Sequence, residues 1–421
     1  MLSIVIPVYA QAGALARTLK SLARQTVSPA NFEIIVVDDA SPVPIPDNVA
    51  EQFADLTVRV VRHAENRGRS AARNTGARAA RGEYLLFQDS DSVAHPDLIR
   101  THLDLLTADG ERAVLGRRVE SDWATAQTEF DSTSLSLQVS PDQDDVRHWF
   151  VVENEQVLQG SPWVFTCSHN FSLPRAVYEA VGGFDEHFRN WGYEDTEIGY
   201  RLYQHWGRDG RRFIFAPEAT VYNVPHFADA DKNWTHAADG LRYLKDKHQH
   251  FDVERLGVWP RGPVQTQPMY AEYLLRPGGA SETALKELQD ALPAADNRLW
   301  AGRLGDRLSS APATTLDCTL PMSATNRPLI GMHTQFDDNS FGDVVHWDNW
   351  RVLNVGDLSA LIVESLRLAP VLYLAGTRDL DSPRPVAQPS DLECVLENSL
   401  LDVRKMPGTP NVFITEVRRR A

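Results

Sequence analysis

Over the first ninety or so residues the apolar positions come in solid blocks. Leu2 to Pro7 is apolar apart from Ser3, and Phe32 to Val37 is apolar apart from Glu33. Between them, Ala14 to Gln25 places Leu15, Leu19 and Leu22 at helical intervals. Thr57 to His63 predicts a third strand, Arg69 to Ala80 a second helix, and Tyr84 to Gln88 a fourth strand. Short strands that are apolar throughout, separated by helices, predict βαβ units around a mostly parallel sheet covered on both faces. In such α/β sheets ligands gather beyond the carboxyl ends of the strands. The loops Val8-Tyr9-Ala10, Asp38-Asp39-Ala40-Ser41 and Asp89-Ser90-Asp91 follow three of those strands.

The pattern blurs between Ser121 and Gly160, where polar sequence predicts surface loops and a lid facing an acceptor. It returns with a strand over Cys167 to Leu173 and helices over Pro174 to Val181 and from about Asp195 to Trp206. Phe213 to Ala216 predicts another strand, followed by the run Thr220 to His226. Proline and glycine accumulate past Trp259, which places a boundary there: one domain over 1–258 and an accessory region over 259–421. A helix over Ser281 to Ala291, capped by Ser281, and strands at Val371 to Ala375 and Val412 to Val417 are all that the second region offers. It is expected to bind an acceptor, pair subunits into a homo-oligomer or dock a partner.

Charge narrows the partners. A formal net charge of −15 argues against a nucleic-acid or anionic-membrane surface, which needs clustered Lys and Arg. The three cysteines, Cys167, Cys318 and Cys394, form no close pair and suit a reducing cytoplasm. No stretch reaches the roughly 20 apolar residues needed to span a bilayer, so the expected location is cytoplasmic, with peripheral attachment to a membrane left open.

Four groups of residues carry chemistry. The two carboxylates of Asp89-Ser90-Asp91, at the end of an apolar strand, are placed to share a hard cation, and such a cation bridges diphosphate oxygens. The plainer alternative makes Asp91 or Ser92 the cap of a helix over His95 to Leu106. Asp39 offers an acceptor for the N–H groups of a nucleobase, or else closes an Asx turn. In Asn66 to Gly76, Arg69 and Arg73 stand one turn apart at a helix start, where phosphate oxygens are well received. Further on, Trp191-Gly192-Tyr193-Glu194-Asp195-Thr196-Glu197 puts two adjacent acids at a helix start. One is placed to hold sugar hydroxyls and the other to accept the proton of an incoming nucleophile.

Taken in order, Ile4 to Tyr9, Val36 to Ser41, Asn66 to Gly76, Gly82 to Asp91, Gly182 to Glu186 and Trp191 to Glu197 resemble the family 2 glycosyltransferases of the GT-A fold, over roughly residues 1–250. The resemblance implies an α/β GT-A domain in which Pro7, Tyr9 and Asp39 line the nucleoside and Arg73 lies near the phosphates. It makes Asp91 the principal metal ligand beside Asp89 and Ser90, with Mn2+ or Mg2+ as the cofactor. Asp195 takes the place of the catalytic base beside Glu194, and Trp191 is placed to stack on a sugar. Asn223 stands where a third ligand is most expected, so His226, Asn223 or water completes the shell. His169 falls where the family lines the sugar pocket.

The implied activity is metal-dependent transfer from a nucleoside-diphosphate sugar, a UDP-sugar by preference, with inversion. The acceptor is a glycan, a lipid, a natural product or a peptide. The rivals are a nucleotidyltransferase and an inactive sugar-nucleotide-binding protein. The first loop, Val8 to Gly13, lacks the glycine-rich cradle a triphosphate needs. His333, Asp337, Asp338, Asp343 and His346 match no ligand spacing, and no second metal is expected there.

Overall fold

The computed structural model describes residues 1–46, 49, 52–53, 55–108, 110–120, 144–145, 161–224, 230–257, 281–304, 308, 314–378, 387–397 and 400–420. The chain divides into two compact units, Met1–Gly240 and Leu241–Ala421, and the division falls inside the helix Ala230–Lys247. The boundary expected at 258/259 and nearly all of the expected acceptor-facing lid lie outside the described residues.

The first unit is built on β1 (Leu2–Val8), β2 (Phe32–Asp38), β3 (Val58–Arg62), β4 (Tyr84–Gln88), β5 (Ser92–Ala94), β6 (Ala113–Glu120), β7 (Asn170–Pro174) and β8 (Phe213–Asn223). Its order is β3-β2-β1-β4-β7-β6-β8-β5. The β3-β2-β1-β4 half is parallel throughout, β7 runs antiparallel to both its neighbours, and β6 pairs parallel with β8. This is the expected α/β sheet, mixed rather than wholly parallel.

On one face Leu2, Ile4, Ile6 and Val8 pack with Leu15, Leu19 and Leu22. On the other the helix Arg69–Ala79 lies so close that a Cβ at Gly76 would sit 2.3 Å from Val5 Cγ1, so only glycine fits there. Glu33 interrupts the apolar run of β2, and burial alone would raise its carboxyl. Hydrogen bonds from Ser3 Oγ (2.6 Å), Arg81 N–H (2.6 Å) and Arg59 Nη2 (2.8 Å) outweigh that and hold it below the usual range. The register pairs Val8 with Asp38 and Val5 with Phe87, so β1, β2 and β4 all end at one edge.

The second unit holds another sheet, in the order β11-β10-β9-β12-β13-β15-β14. Its strands are β9 (Arg298–Gly302), β10 (Thr314–Leu316), β11 (Asn326–Arg327), β12 (Asp343–Trp347), β13 (Leu372–Thr377), β14 (Leu401–Lys405) and β15 (Val412–Arg419). β9 to β13 are parallel and β14 and β15 close one side antiparallel. Most of this sheet goes unannounced by periodicity, since β9 and β12 are short and start on charged residues. Among the described residues no helix is long and apolar enough to cross a membrane.

Candidate active site

The loop after β2 is held by its own acids. Asp38 accepts from Ser41 N–H (2.8 Å), Ile45 N–H (3.1 Å) and Arg62 Nη1. Burial would raise its carboxyl, but these donors, with Ser41 foremost, bring it below the usual range. Asp39 is also buried. Its Oδ1 accepts from Arg67 N–H (2.9 Å) and meets His63 Nδ1 (2.7 Å), while Oδ2 accepts from Gly68 N–H (2.8 Å). The loop before the helix Arg69–Ala79 therefore closes over Asp39. Gly68 has φ 88° and a Cβ there would meet the Arg189 carbonyl at 2.5 Å, so the turn requires glycine.

At the end of β4, the Ser90 carbonyl accepts from Thr18 Oγ1 (2.8 Å) and its hydroxyl donates to Gln11 Oε1 (2.8 Å). Asp89 and Asp91 flank this anchored residue. Ser92–Ala94 forms β5 against β8, and the following helix starts only at Leu98. That disposes of the capping alternative, because a strand separates the triplet from the helix it was to cap. Val224 N–H donates to the Asp91 carbonyl (3.0 Å), which brings the chain end of β8 beside the triplet. His226 follows two residues later, outside the described residues.

Arg73 joins this edge to the second acidic cluster. Its side chain is 2% exposed, yet the guanidinium donates to Asp89 Oδ1 (3.2 Å) and Glu194 Oε1 (3.3 Å) and lies 3.7 Å from Asp195 Oδ1. Burial works against its charge, and the three carboxylates, Asp195 foremost, more than reverse this and raise its pKa. The resemblance implies phosphate contact for Arg73; here three acids take up the guanidinium.

Glu194 is likewise committed. It is 3% exposed and accepts from Arg73 and from Gly192 N–H (3.0 Å). Asp195 keeps 24% of its side chain open and accepts from Ser168 Oγ (2.5 Å). Burial, then the Glu194 charge, push its carboxyl up to about 6 against the pull of Arg73 and Ser168. Both acids open the helix Glu194–His205 directly after Tyr193, held at φ 67°. A non-glycine residue in that region marks backbone strain of the kind found at functional sites.

The other expected residues fall as follows. Pro7 lies in β1, and Tyr9 just beyond it is half exposed. Trp191 is exposed and meets exposed Trp234 edge to face, with ring centroids 6.0 Å apart. Asn223 is buried and donates to Glu120 Oε2 (2.7 Å). Among the described residues no group of three or more His, Cys, Asp or Glu is placed to hold a metal. Asp89 and Asp91 nonetheless supply hard oxygen donors of the kind Mn2+ and Mg2+ take, and Asp89 keeps 30% of its side chain open. His63 and Ser168 escaped the sequence reading, because each matters only through a carboxylate more than twenty positions away.

The candidates in the second unit disperse. His346 is buried between Asn349 Oδ1 (3.1 Å) and Ser365 Oγ (3.0 Å), and burial lowers it to about 4. Asp343 pairs with Arg298, Asp338 with Arg367 and His333 with Asp246.

Comparison with known proteins bears on the first unit. Residues 3–182 match the model of glycosyl transferase family 2, and residues 159–226 match that described as the N-terminal domain of galactosyltransferase. Validoxylamine A glucosyltransferase of Streptomyces hygroscopicus subsp. limoneus is 35% identical over 242 residues, covering 54% of this chain and 52% of that protein. Chondroitin synthase of Escherichia coli is 30% identical over 241 residues, covering 53% and 34%. The chain thus spans about half the length, or less, of these curated relatives. Among solved structures, mannosyltransferase PcManGT from Pyrobaculum calidifontis, in complex with GDP-Man and Mn2+, is 20% identical with a TM-score of 0.45, covering 63% of this chain and 67% of that one.

Proposed function

We propose that this chain, whose first unit belongs to glycosyl transferase family 2, transfers a sugar from a UDP-sugar to an acceptor hydroxyl with inversion at the anomeric carbon. The observation that carries the reading is the buried Arg73, which gathers Asp89, Glu194 and Asp195 at the carboxyl edge of the sheet.

The roles divide by what each carboxylate still has free. Glu194 is occupied by Arg73 and the Gly192 amide, so it holds the loop that carries Trp191. Asp195 is partly open, with a pKa raised toward neutrality, which suits a general base. It takes the acceptor hydroxyl proton as that oxygen bonds to the anomeric carbon and the bond to the diphosphate breaks. Ser168 fixes the carboxylate by donating to Oδ1. Asp89 and Asp91 would hold Mn2+ or Mg2+, with His226 as a further ligand, and the bound cation stabilises the charge of the departing diphosphate. Trp191 offers its indole face to a sugar ring. The carbohydrate-handling relatives support a saccharide or saccharide-like acceptor.

The test is an assay of the full chain against a panel of sugar nucleotides, with Mn2+, with Mg2+ and with chelator, run beside Asp195→Asn. Transfer is expected to need the cation and to fall at least about a hundredfold in Asp195→Asn, with donor affinity little changed. Near-normal turnover in that variant would remove Asp195 from the mechanism.

A further inference from the structure

His63 is buried between two partners that no catalytic role requires: Asp39 Oδ1 at Nδ1 (2.7 Å) and Thr75 Oγ1 at Nε2 (2.9 Å). An ionised carboxylate only accepts, so Nδ1 must carry the proton. When the ring is neutral, Nε2 accepts from the Thr75 hydroxyl. Thr75 Oγ1 in turn accepts from exposed Arg78 Nη2 (3.1 Å), which leaves its own proton for His63. The donors thus run in one direction, from Arg78 through Thr75 and His63 to Asp39.

The consequence lies in what Asp39 has left. A carboxylate offers about four acceptor directions. His63 and the Arg67 amide occupy both on Oδ1, and the Gly68 amide takes one on Oδ2. A single direction remains, on Oδ2. Uracil presents one N–H between two carbonyls and needs one acceptor. Guanine presents adjacent N1–H and N2–H groups that need two. Resting on the donor reading above, we infer that His63 is a specificity-determining positioning residue: by saturating Oδ1 it leaves Asp39 able to take the single N–H of uracil and unable to pair with guanine. A site built to match a hydrogen-bonding pattern discriminates strongly, because a mismatch strands buried polar groups.

The experiment is calorimetric titration of the full chain with UDP and with GDP, each with excess Mn2+. The wild type is expected to prefer UDP by at least about tenfold, the scale of one hydrogen bond to a charged group. His63→Phe fills the space, removes the N–H and frees an acceptor on Oδ1, so the UDP to GDP ratio falls at least about tenfold, while kcat at saturating donor stays within about threefold. His63→Gln keeps an N–H donor and holds the ratio within about threefold of wild type. Should His63→Phe fail to fold, Thr75→Val replaces it. That change strips Nε2 of its donor and frees the ring to swap tautomers, lowering the ratio at least about threefold. An unchanged ratio in either folded variant, or a wild type indifferent to the base, overturns the inference alone. A wild type that binds neither nucleotide overturns the donor reading as well.

Discussion

Both units place charged residues at or near the carboxyl edge of parallel strands, and they treat them in opposite ways. In the second unit Asp348, just past β12, accepts from Thr377 Oγ1 (2.8 Å) and Arg351 Nη1 (3.1 Å). Arg351 donates on to the carbonyls of Ala387 (2.8 Å) and Thr377 (2.8 Å) and to Gln388 Oε1 (3.0 Å). Glu254 takes the amides of Ile330, Gly331, Met332 and His333. Each of these three charges is spread over several partners. In the first unit one guanidinium serves three carboxylates, and one of those acids, Asp195, stays partly open. A network built for stability satisfies every member. One built for chemistry leaves a member unsatisfied so that a ligand can complete it.

Exchanging the two arginines for methionine tests that contrast. Arg73→Met leaves three carboxylates without their common cation, so transfer should fall about a hundredfold, and unfolding should cost about 3 kcal/mol less than in wild type. Arg351→Met should lose comparable stability, about 3 kcal/mol, because Asp348 is stranded in the same way. Its UDP affinity and turnover at a temperature well below unfolding should stay within about twofold of wild type. Denaturant titrations beside donor kinetics read both. A kinetic defect in Arg351→Met equal to that in Arg73→Met would mean that the second unit shares the chemistry, and the contrast would collapse.

How much of this is legible in the sequence depends on distance along the chain. β1, β2 and β4 announce themselves because both faces are buried and nearly every residue is apolar. β6 does not, since Arg117 and Arg118 sit within it and only the fold pairs Arg117 with Asp144 (2.7 Å). β12 hides for a similar reason: His346 reads as polar, and its burial makes sense only once Ser365 and Asn349 stand beside it. The acids of the site are visible as motifs. Their allocation is not. That Glu194 is committed and Asp195 open follows from Arg73, 121 positions away from Glu194, and from Ser168, 27 positions before Asp195. Periodicity carries no trace of contacts at such separations.

The effect that separates the two acids is the pH dependence of transfer. As the proposed base, Asp195 acts only when ionised, and burial beside Glu194 pushes its carboxyl up to about 6. Transfer should therefore fall about tenfold for each pH unit below about 6 and level off above it. The stability linkage runs the other way. The folded pKa lies above the ordinary carboxylate value of 3.8, so the native state holds this proton more tightly than the unfolded chain does. The stability this contributes is fully present below about pH 4 and is lost as pH rises through about 6, across the same window in which activity appears. Asp195→Asn removes the titration, so the wild-type minus variant difference in unfolding free energy should decline between those limits and stay flat beyond them. Rate profiles and unfolding curves of both proteins from pH 4 to 8 would measure it. A rate that rises through pH 6 equally in Asp195→Asn would assign the titration to another group, and Glu194 would become the base to examine.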